Sequence, residues 1–257
     1  MSALSALDLT YRVKGATLVE GASFALEAGA LTALIGPNGA GKTSLLQLAL
    51  GLLAPTSGRA MLDGIPIDTL PPRERARAIA YLPQHRPLVW PQPVRDIVAL
   101  GRFAHGGAPF RLAAADQTAV DDAITACRLE GLEERAADTL SGGELARLHL
   151  ARALAAEAPV LVADEPVAAL DPRQQHQTMQ LFCELARKGR TVLTVIHDLE
   201  LAARYADRVL WMHEGKIVAQ GTPRETFTPE RIRAVFDLEA QPYLRGPVLH
   251  LGIAGPA

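Results

Sequence analysis

The stretch Gly36-Pro37-Asn38-Gly39-Ala40-Gly41-Lys42-Thr43 constrains the fold of this chain more than any other. It fits Gly-x4-Gly-Lys-[Ser/Thr], a phosphate-binding loop, a pattern that works only between a strand and a helix. The flanks supply both. Leu31-Thr32-Ala33-Leu34-Ile35 reads as a buried strand feeding the loop, and Ser44-Leu45-Leu46-Gln47-Leu48-Ala49-Leu50 as the helix leaving it. Glycines let the backbone curl so that successive N–H groups face an anion, and the helix adds the positive end of its dipole. In that setting Lys42 reaches the β- and γ-phosphates, Thr43 ligates Mg²⁺ and Ser44 binds a phosphate oxygen, which points to a nucleotide.

The rest of the composition narrows the partners. With 257 residues, 49% of them hydrophobic and 21% charged, the chain can bury a sizeable core. A net charge of -2 and the lack of any basic run leave no electrostatic footprint for nucleic acid, so none is expected as a partner. The longest apolar run near a helix, Leu45 to Ala54, is about half of the roughly 20 residues that span a bilayer, and Gln47 interrupts it. The start, Met1-Ser2-Ala3-Leu4-Ser5-Ala6-Leu7-Asp8, has neither the basic region nor the apolar core of a signal peptide. A chain that is soluble by itself and stays in the cytoplasm is expected. Cys127 and Cys183 lie far apart in helical patterns without a Cys-x-x-Cys partner, as reduced, buried thiols do.

Along the chain, Leu7 to Arg12 and Ala22 to Leu26 alternate as antiparallel strands do, and Gly58 to Gly64 continues the theme to an Asp63-Gly64 turn. Pro71-Pro72 starts a short helix, and Ile79-Ala80-Tyr81-Leu82-Pro83 reads as a strand. Pro87, Pro91 and Pro93 punctuate a loop, after which Val94 to Phe103 and Asp116 to Arg128 carry helical periodicity, separated by Gly106, Gly107 and Pro109. Val160 to Ala163, Thr191 to Ile196 and Arg208 to Met212 are continuous apolar strands alternating with helices, the pattern of a parallel sheet covered on both faces. His213-Glu214-Gly215-Lys216 reads as a hairpin turn, and Thr228-Pro229-Glu230 caps a last helix through Phe236. Residues Gly246 to Ala257 carry no interpretable motif.

Further stretches follow the loop in a fixed order, and together they resemble one family, the ATP-binding cassette (ABC) ATPases. Leu140-Ser141-Gly142-Gly143-Glu144, with Arg147 beyond, resembles the family signature; Val160 to Asp164 followed by Glu165-Pro166 resembles the Walker B strand with its catalytic glutamate. Gln84 resembles the Q-loop glutamine, Leu170-Asp171 the end of the D-loop, His197 the switch histidine, and Tyr11 the aromatic under the adenine. The resemblance spans essentially the whole chain. It implies an α/β fold: a P-loop NTPase (RecA-like) core with a parallel sheet, an N-terminal antiparallel β subdomain and an inserted helical subdomain. On that reading residues 1–86 and 158–257 form the nucleotide-binding core and 87–157 the helical subdomain with the signature.

The roles follow from the resemblance and from physical chemistry. Asp164 ends a buried strand, where its carboxylate holds Mg²⁺ through water, and Glu165 orients or deprotonates the attacking water. Ser141-Gly142-Gly143 precedes an apolar helix, Leu145 to Leu154, and so forms a second anion site. The resemblance implies a homodimer packed head to tail, each signature capping the ATP on the partner's phosphate loop. His197 senses the γ-phosphate, and the Gln84 amide reaches Mg²⁺ or water and reports occupancy to the helical subdomain. One departure stands out: Val167-Ala168 replaces the hydroxyl residues the family carries before Ala169-Leu170-Asp171, removing any hydroxyl bond across the dimer.

A lone cassette with no membrane segment resembles the ATPase of a bacterial importer, bound at the cytoplasmic face of the inner membrane to separate permease subunits, with a periplasmic binding protein as an indirect partner. Tyr81-Leu82-Pro83-Gln84-His85, Pro93 to Arg102 and the run Gly221-Thr222-Pro223 to Phe236 resemble the subgroup importing iron siderophores, haem and cobalamin. Zinc or manganese importers and a soluble ATPase of iron–sulfur cluster assembly are the alternatives.

Overall fold

The computed structural model describes residues 4–84, 91–107 and 111–257. Expectations resting on His85, Pro87 and Pro109 lie outside the described residues. In chain order the elements begin with β1 (Leu4–Val13), β2 (Ala16–Ala25), β3 (Leu31–Ile35), α1 (Lys42–Ala49), β4 (Ser57–Leu62) and β5 (Ile65–Pro66). Next come α2 (Pro72–Ala78), β6 (Ile79–Leu82), α3 (Val94–Ala99), α4 (Ala114–Ala126), α5 (Gly142–Ala155), β7 (Val160–Asp164) and α6 (Pro172–Arg187). The chain continues through β8 (Thr191–Val195), α7 (Leu199–Tyr205), β9 (Arg208–His213), β10 (Lys216–Gly221), α8 (Pro223–Thr226), α9 (Pro229–Phe236), β11 (Leu238–Arg245) and β12 (Val248–Pro256). Two compact units divide them: Met1–Leu70 with Phe182–Ala257, and Pro71–Leu181. The range 87–157 falls inside the second.

In the first unit, β2, β1, β4 and β5 form an antiparallel sheet in that order. Beside it, β3 pairs in parallel with β8 and with β9, and β10 returns antiparallel along β9. Every residue of β3 and β8 is buried, which explains why both read as unbroken apolar runs rather than alternating ones. Trp211 on β9 is wholly buried, with Phe227 and Phe236 edge-on to its ring at 4.9 and 5.9 Å, so α8 and α9 close over this strand. Thr222 and Thr228 cap these two helices, and Asp237, in the left-handed region at φ 53°, ends α9.

In the second unit β6 runs parallel to β7, and α3, α4 and α5 pack together. The helical pattern expected from Val94 to Phe103 is α-helical only to Ala99 and tightens into a 3₁₀ turn from Leu100 to His105. The cause is close packing: a Cβ on Gly101 would lie 2.3 Å from the Arg152 carbonyl of α5. Arg102 is buried here, its Nε donating to Asp116 Oδ1 and its Nη1 to Ala155 O and Glu157 Oε2, each at 2.8 Å. The Arg102 hydrogen bond holds the Asp116 carboxyl below the usual range. Cys127 is buried and its thiol is pushed up to about 12 by desolvation, consistent with an inert core thiol. Among the described residues, no helix is long and apolar enough to cross a membrane.

The motif-free stretch Gly246 to Ala257 supplies β12, which pairs with β11 over nearly its full length. Pro242, Gly252 and Gly255 interrupt the alternation that would have marked these strands.

Candidate functional site

In the first unit the phosphate-loop residues sit between β3 and α1, as the strand, loop, helix context requires. Two glycines have no substitute. A Cβ on Gly36 would lie 2.1 Å from the Met212 carbonyl, and Gly41 takes φ 96° with the Leu18 carbonyl 2.3 Å from where its Cβ would be. Lys42 is buried, and its Nζ donates to the Gly36 and Pro37 carbonyls at 2.8 Å each, so the ammonium is held within the loop. Asn38 and Gly39 are exposed, Ala40 is buried, and Thr43 and Ser44 are half-buried at the first turn of α1. The Gly215 N–H donates to Ala40 O at 3.0 Å, while Glu20 N–H donates to Gly215 O at 2.9 Å. The β9–β10 turn therefore braces the loop from outside, a role the sequence disclosed only as a hairpin turn.

β3 and β8 are parallel with Leu34 beside Val195, so the loop and His197 leave the same carboxyl edge of this sheet, the edge where open α/β sheets bind ligands. His197 is exposed. Asp198 follows it and caps α7, its Oδ1 accepting from Leu201 N–H at 3.0 Å. Tyr11 is half-buried on β1, opposite Val19 of β2.

In the second unit the register of β6 and β7, Leu82 beside Ala163, sends Gln84 and Asp164-Glu165 from one edge. Asp164 is fully buried. Gln84 and Glu165, 81 residues apart in sequence, are brought together: Gln84 Nε2 donates to Glu165 Oε2 at 2.8 Å. Glu165 has φ 51°, in the left-handed region that costs a residue with a Cβ roughly 1–2 kcal/mol. Such strain tends to concentrate where a side chain must be aimed.

Ser141 and Glu144 form a reciprocal capping box at the start of α5, with Ser141 Oγ accepting from Glu144 N–H at 3.3 Å and Glu144 Oε2 accepting from Ser141 N–H at 2.8 Å. That backbone bond holds the Glu144 carboxyl below its usual range. Arg147 turns away from the capping box, its Nη1 donating to the carbonyls of Cys127, at 3.0 Å, and Arg128 at the end of α4. Asp171 caps α6, accepting from Gln174 N–H at 2.9 Å. A Cβ on Gly143 would fall 2.8 Å from Gln174 Oε1, so the start of α6 adjoins the start of α5. Gln174 is thus a neighbour of the signature stretch that motif reading passed over.

The oxygen donors picked out for a metal are the Thr43 hydroxyl, the Asp164 carboxylate and the Gln84 amide. No group of three or more His, Cys, Asp or Glu residues that could hold a metal occurs among the described residues.

The motif order is matched by comparison with known proteins. A family model described as ABC transporter matches residues 19–168. The hemin import ATP-binding protein HmuV of Pseudomonas aeruginosa is 42% identical over 237 residues, covering 90% of this chain and 91% of that one. The protein of the same name from Deinococcus radiodurans is 43% identical over 242 residues, covering 90% and 89%. Among solved structures, an inward-facing ABC transporter described as of metal-chelate type superposes with a TM-score of 0.83 at 25% identity, covering 100% of this chain and 98% of that one. A dimeric ATP-binding cassette in a post-hydrolysis state with ADP and Pi superposes with a TM-score of 0.78 at 25% identity, covering 86% and 99%. The phosphate loop, the capped signature helix and these likenesses over nearly the whole chain place it in the ABC transporter family, as an ABC transporter ATPase.

Proposed function

We propose that this ATPase powers a bacterial importer of a metal chelate, with haem as the first candidate and ferric siderophores and cobalamin as its chemical neighbours. The observation that carries the reading is the likeness to hemin import ATP-binding proteins at 42% and 43% identity over about nine-tenths of both chains. The cargo crosses a separate permease fed by a periplasmic binding protein, while this chain sits at the cytoplasmic face of the inner membrane.

In this reading two copies pack head to tail; pairing itself is supported by the dimeric solved relative. Lys42 and the N–H groups of the loop from Asn38 to Ser44 bind the phosphates of ATP, with Gly36 and Pro37 shaping its start, and Tyr11 lies under the adenine. Ser141, Gly142 and Gly143 cap the partner's nucleotide, with Asp171 close to the same contact and Glu144 holding the helix start in shape. Thr43, Asp164 and Gln84 offer hard oxygens that suit Mg²⁺, an ion that takes most of its ligands from phosphates and water, which fits a small protein donor set. When bound, the ion neutralises charge on the β- and γ-phosphates. Glu165 polarises the attacking water, Gln84 holds Glu165 through its amide, and His197 senses the γ-phosphate.

The test is ATP hydrolysis by the chain reconstituted in liposomes with its permease and binding protein, with haem, a ferric siderophore and cobalamin supplied in turn. Stimulation by the haem-loaded binding protein is expected. Stimulation by another chelate would reassign the cargo, and hydrolysis that never responds to a membrane partner would favour a soluble ATPase machine.

A further inference from the structure

The C-terminal hairpin is fastened to α7, the helix that begins two residues after His197. Glu200 lies three residues beyond His197, in the first turn of α7. Its carboxylate grips β12 twice: Oε1 meets His250 Nδ1 at 2.5 Å, and Oε2 accepts from Leu251 N–H at 2.7 Å. The His250 ring is in turn stacked on Tyr243 of β11, its cross-strand partner, with centroids 5.5 Å apart and planes 21° off parallel. The hairpin is itself anchored elsewhere in the same unit. Arg224 Nη2 of α8 donates to Pro247 O at 3.0 Å, Ala257 N–H donates to Asp237 O at 3.0 Å, and Leu249 and Ala240 are buried beneath it.

α7 is short, and its first turn is stiff. Asp198 caps it, and Ala202 N–H donates to Asp198 O at 3.1 Å. On the other side of His197, Ile196 N–H donates to Leu34 O at 3.3 Å, tying that residue to β3. His197 is therefore held between a buried strand and a capped helical turn, with Glu200 half-exposed on that turn. A displacement of Glu200 passes to His197 through the two intervening residues, Asp198 and Leu199, of the capped turn.

We propose that the C-terminal hairpin positions His197 through the contacts of Glu200 with His250 and Leu251, making Glu200 and His250 positioning residues for ATP hydrolysis. The proposal rests on the sensing role assigned to His197. It gives the last stretch of the chain, which carries no motif, a place in the chemistry. Because the phosphate loop is braced independently by Gly215, loosening the hairpin affects the hydrolytic step and leaves nucleotide affinity in place.

Steady-state ATP hydrolysis by the full-length chain tests this with His197→Ala, Glu200→Ala, His250→Ala and His250→Asn, alongside thermal melting of each. Asn keeps an N–H donor near the position of His Nδ1. Glu200→Ala and His250→Ala should lower kcat by about tenfold with KM for ATP changed less than about twofold, the split expected when a reacting geometry is loosened and uniform binding is spared. His250→Asn should restore most of kcat. Normal kcat in Glu200→Ala and His250→Ala beside a lowered kcat in His197→Ala would overturn the positioning role and leave the sensor standing. Normal kcat in His197→Ala would overturn both. A lowered Tm with unchanged kcat, or kcat and Tm restored by no donor at position 250, would reduce the hairpin to a structural brace.

Discussion

Two helices in this chain begin beside glycines and receive their first N–H groups in opposite ways. α1 starts from Gly41 at φ 96°, and this N-cap residue supplies no side-chain cap. α5 starts from Ser141, whose hydroxyl and the Glu144 carboxylate close a reciprocal box over their own backbone. In α1 the conformation is imposed by a crowded surrounding, the Leu18 carbonyl and the β9–β10 turn, and a lysine occupies the first helical position. In α5 it is imposed locally, by two side chains three residues apart. The difference teaches where each helix spends its positive end: α1 begins without a side-chain cap and with a cation at its first position, whereas α5 commits part of its turn to its own box, with Gly142 and Gly143 between the two box residues.

The largest effect should come from removing the cation. Lys42→Ala should abolish measurable hydrolysis, a fall of about 100-fold or more in kcat/KM, since it deletes the charge held within the loop. An unchanged far-ultraviolet spectrum should accompany the loss. Appreciable residual hydrolysis would mean that the start of α1 does not address an anion through Lys42, and the functional contrast with α5 would vanish.

Next in size is the pair of glycines. Gly41→Ala forces a side chain into the left-handed region against a backbone carbonyl 2.3 Å away, and should cost about 2 kcal/mol or more, read as a drop of several degrees in Tm. Gly143→Ala meets only the tip of Gln174 at 2.8 Å, a flexible side chain that can turn aside, so its Tm should stay within about 1 °C of the parent. Equal losses from both would show that the two loops are constrained alike.

Ser141→Asp separates capping from anion binding. Aspartate caps a helix as well as serine does, so stability should hold, while its charge opposes a phosphate approaching the same amides. Hydrolysis should fall by roughly tenfold if α5 addresses a nucleotide. Unaltered hydrolysis would confine α5 to structure.

What could be read from the sequence follows the same division between local and distant causes. The phosphate loop and the cap at Thr228 are each specified within a few residues, so spacing alone announced them; the box at Ser141 and Glu144 and the cap at Thr222 are just as local but were not read from the sequence. The apolar strands β3, β7 and β8 were legible because burial on both faces leaves an unbroken run. The bond between Gln84 and Glu165 spans 81 residues and could be anticipated only through the motif order. The hairpin of β11 and β12 was illegible because its strands are broken by proline and glycine, and its anchor, Glu200, lies 50 residues from His250. The 3₁₀ turn from Leu100 to His105 is set by the close approach of Gly101 to α5, a tertiary contact that leaves no mark on periodicity. Arg147 stands next to the signature, yet it is spent on the carbonyls at the end of α4, which no local pattern foretells.

The smallest effect is also the most selective for the α5 side of the contrast. The Glu144 carboxyl is held below the usual glutamate value of 4.5, first by the Ser141 N–H that donates to it, then by the Ser141 hydroxyl, with Arg135 and Arg147 adding weaker attraction. A carboxyl whose folded-state pKa is depressed contributes stability that is present above the unfolded value and disappears as pH falls through the folded one. Glu144→Gln keeps an oxygen for the Ser141 N–H but removes the charge from the helix start, so the Tm gap between parent and variant isolates the ionic part. Because this group is partly solvated, the gap at neutral pH should be only about 1 °C. It should be constant from pH 7 down to about pH 5 and close below that, as the carboxylate takes up its proton. A gap that persists at pH 3 would assign the loss to the altered geometry of the box instead of its charge. In α1 the N-cap is a glycine and the first turn carries no acidic residue of its own, so a matching acid-sensitive capping step there would contradict the division between the two helix starts.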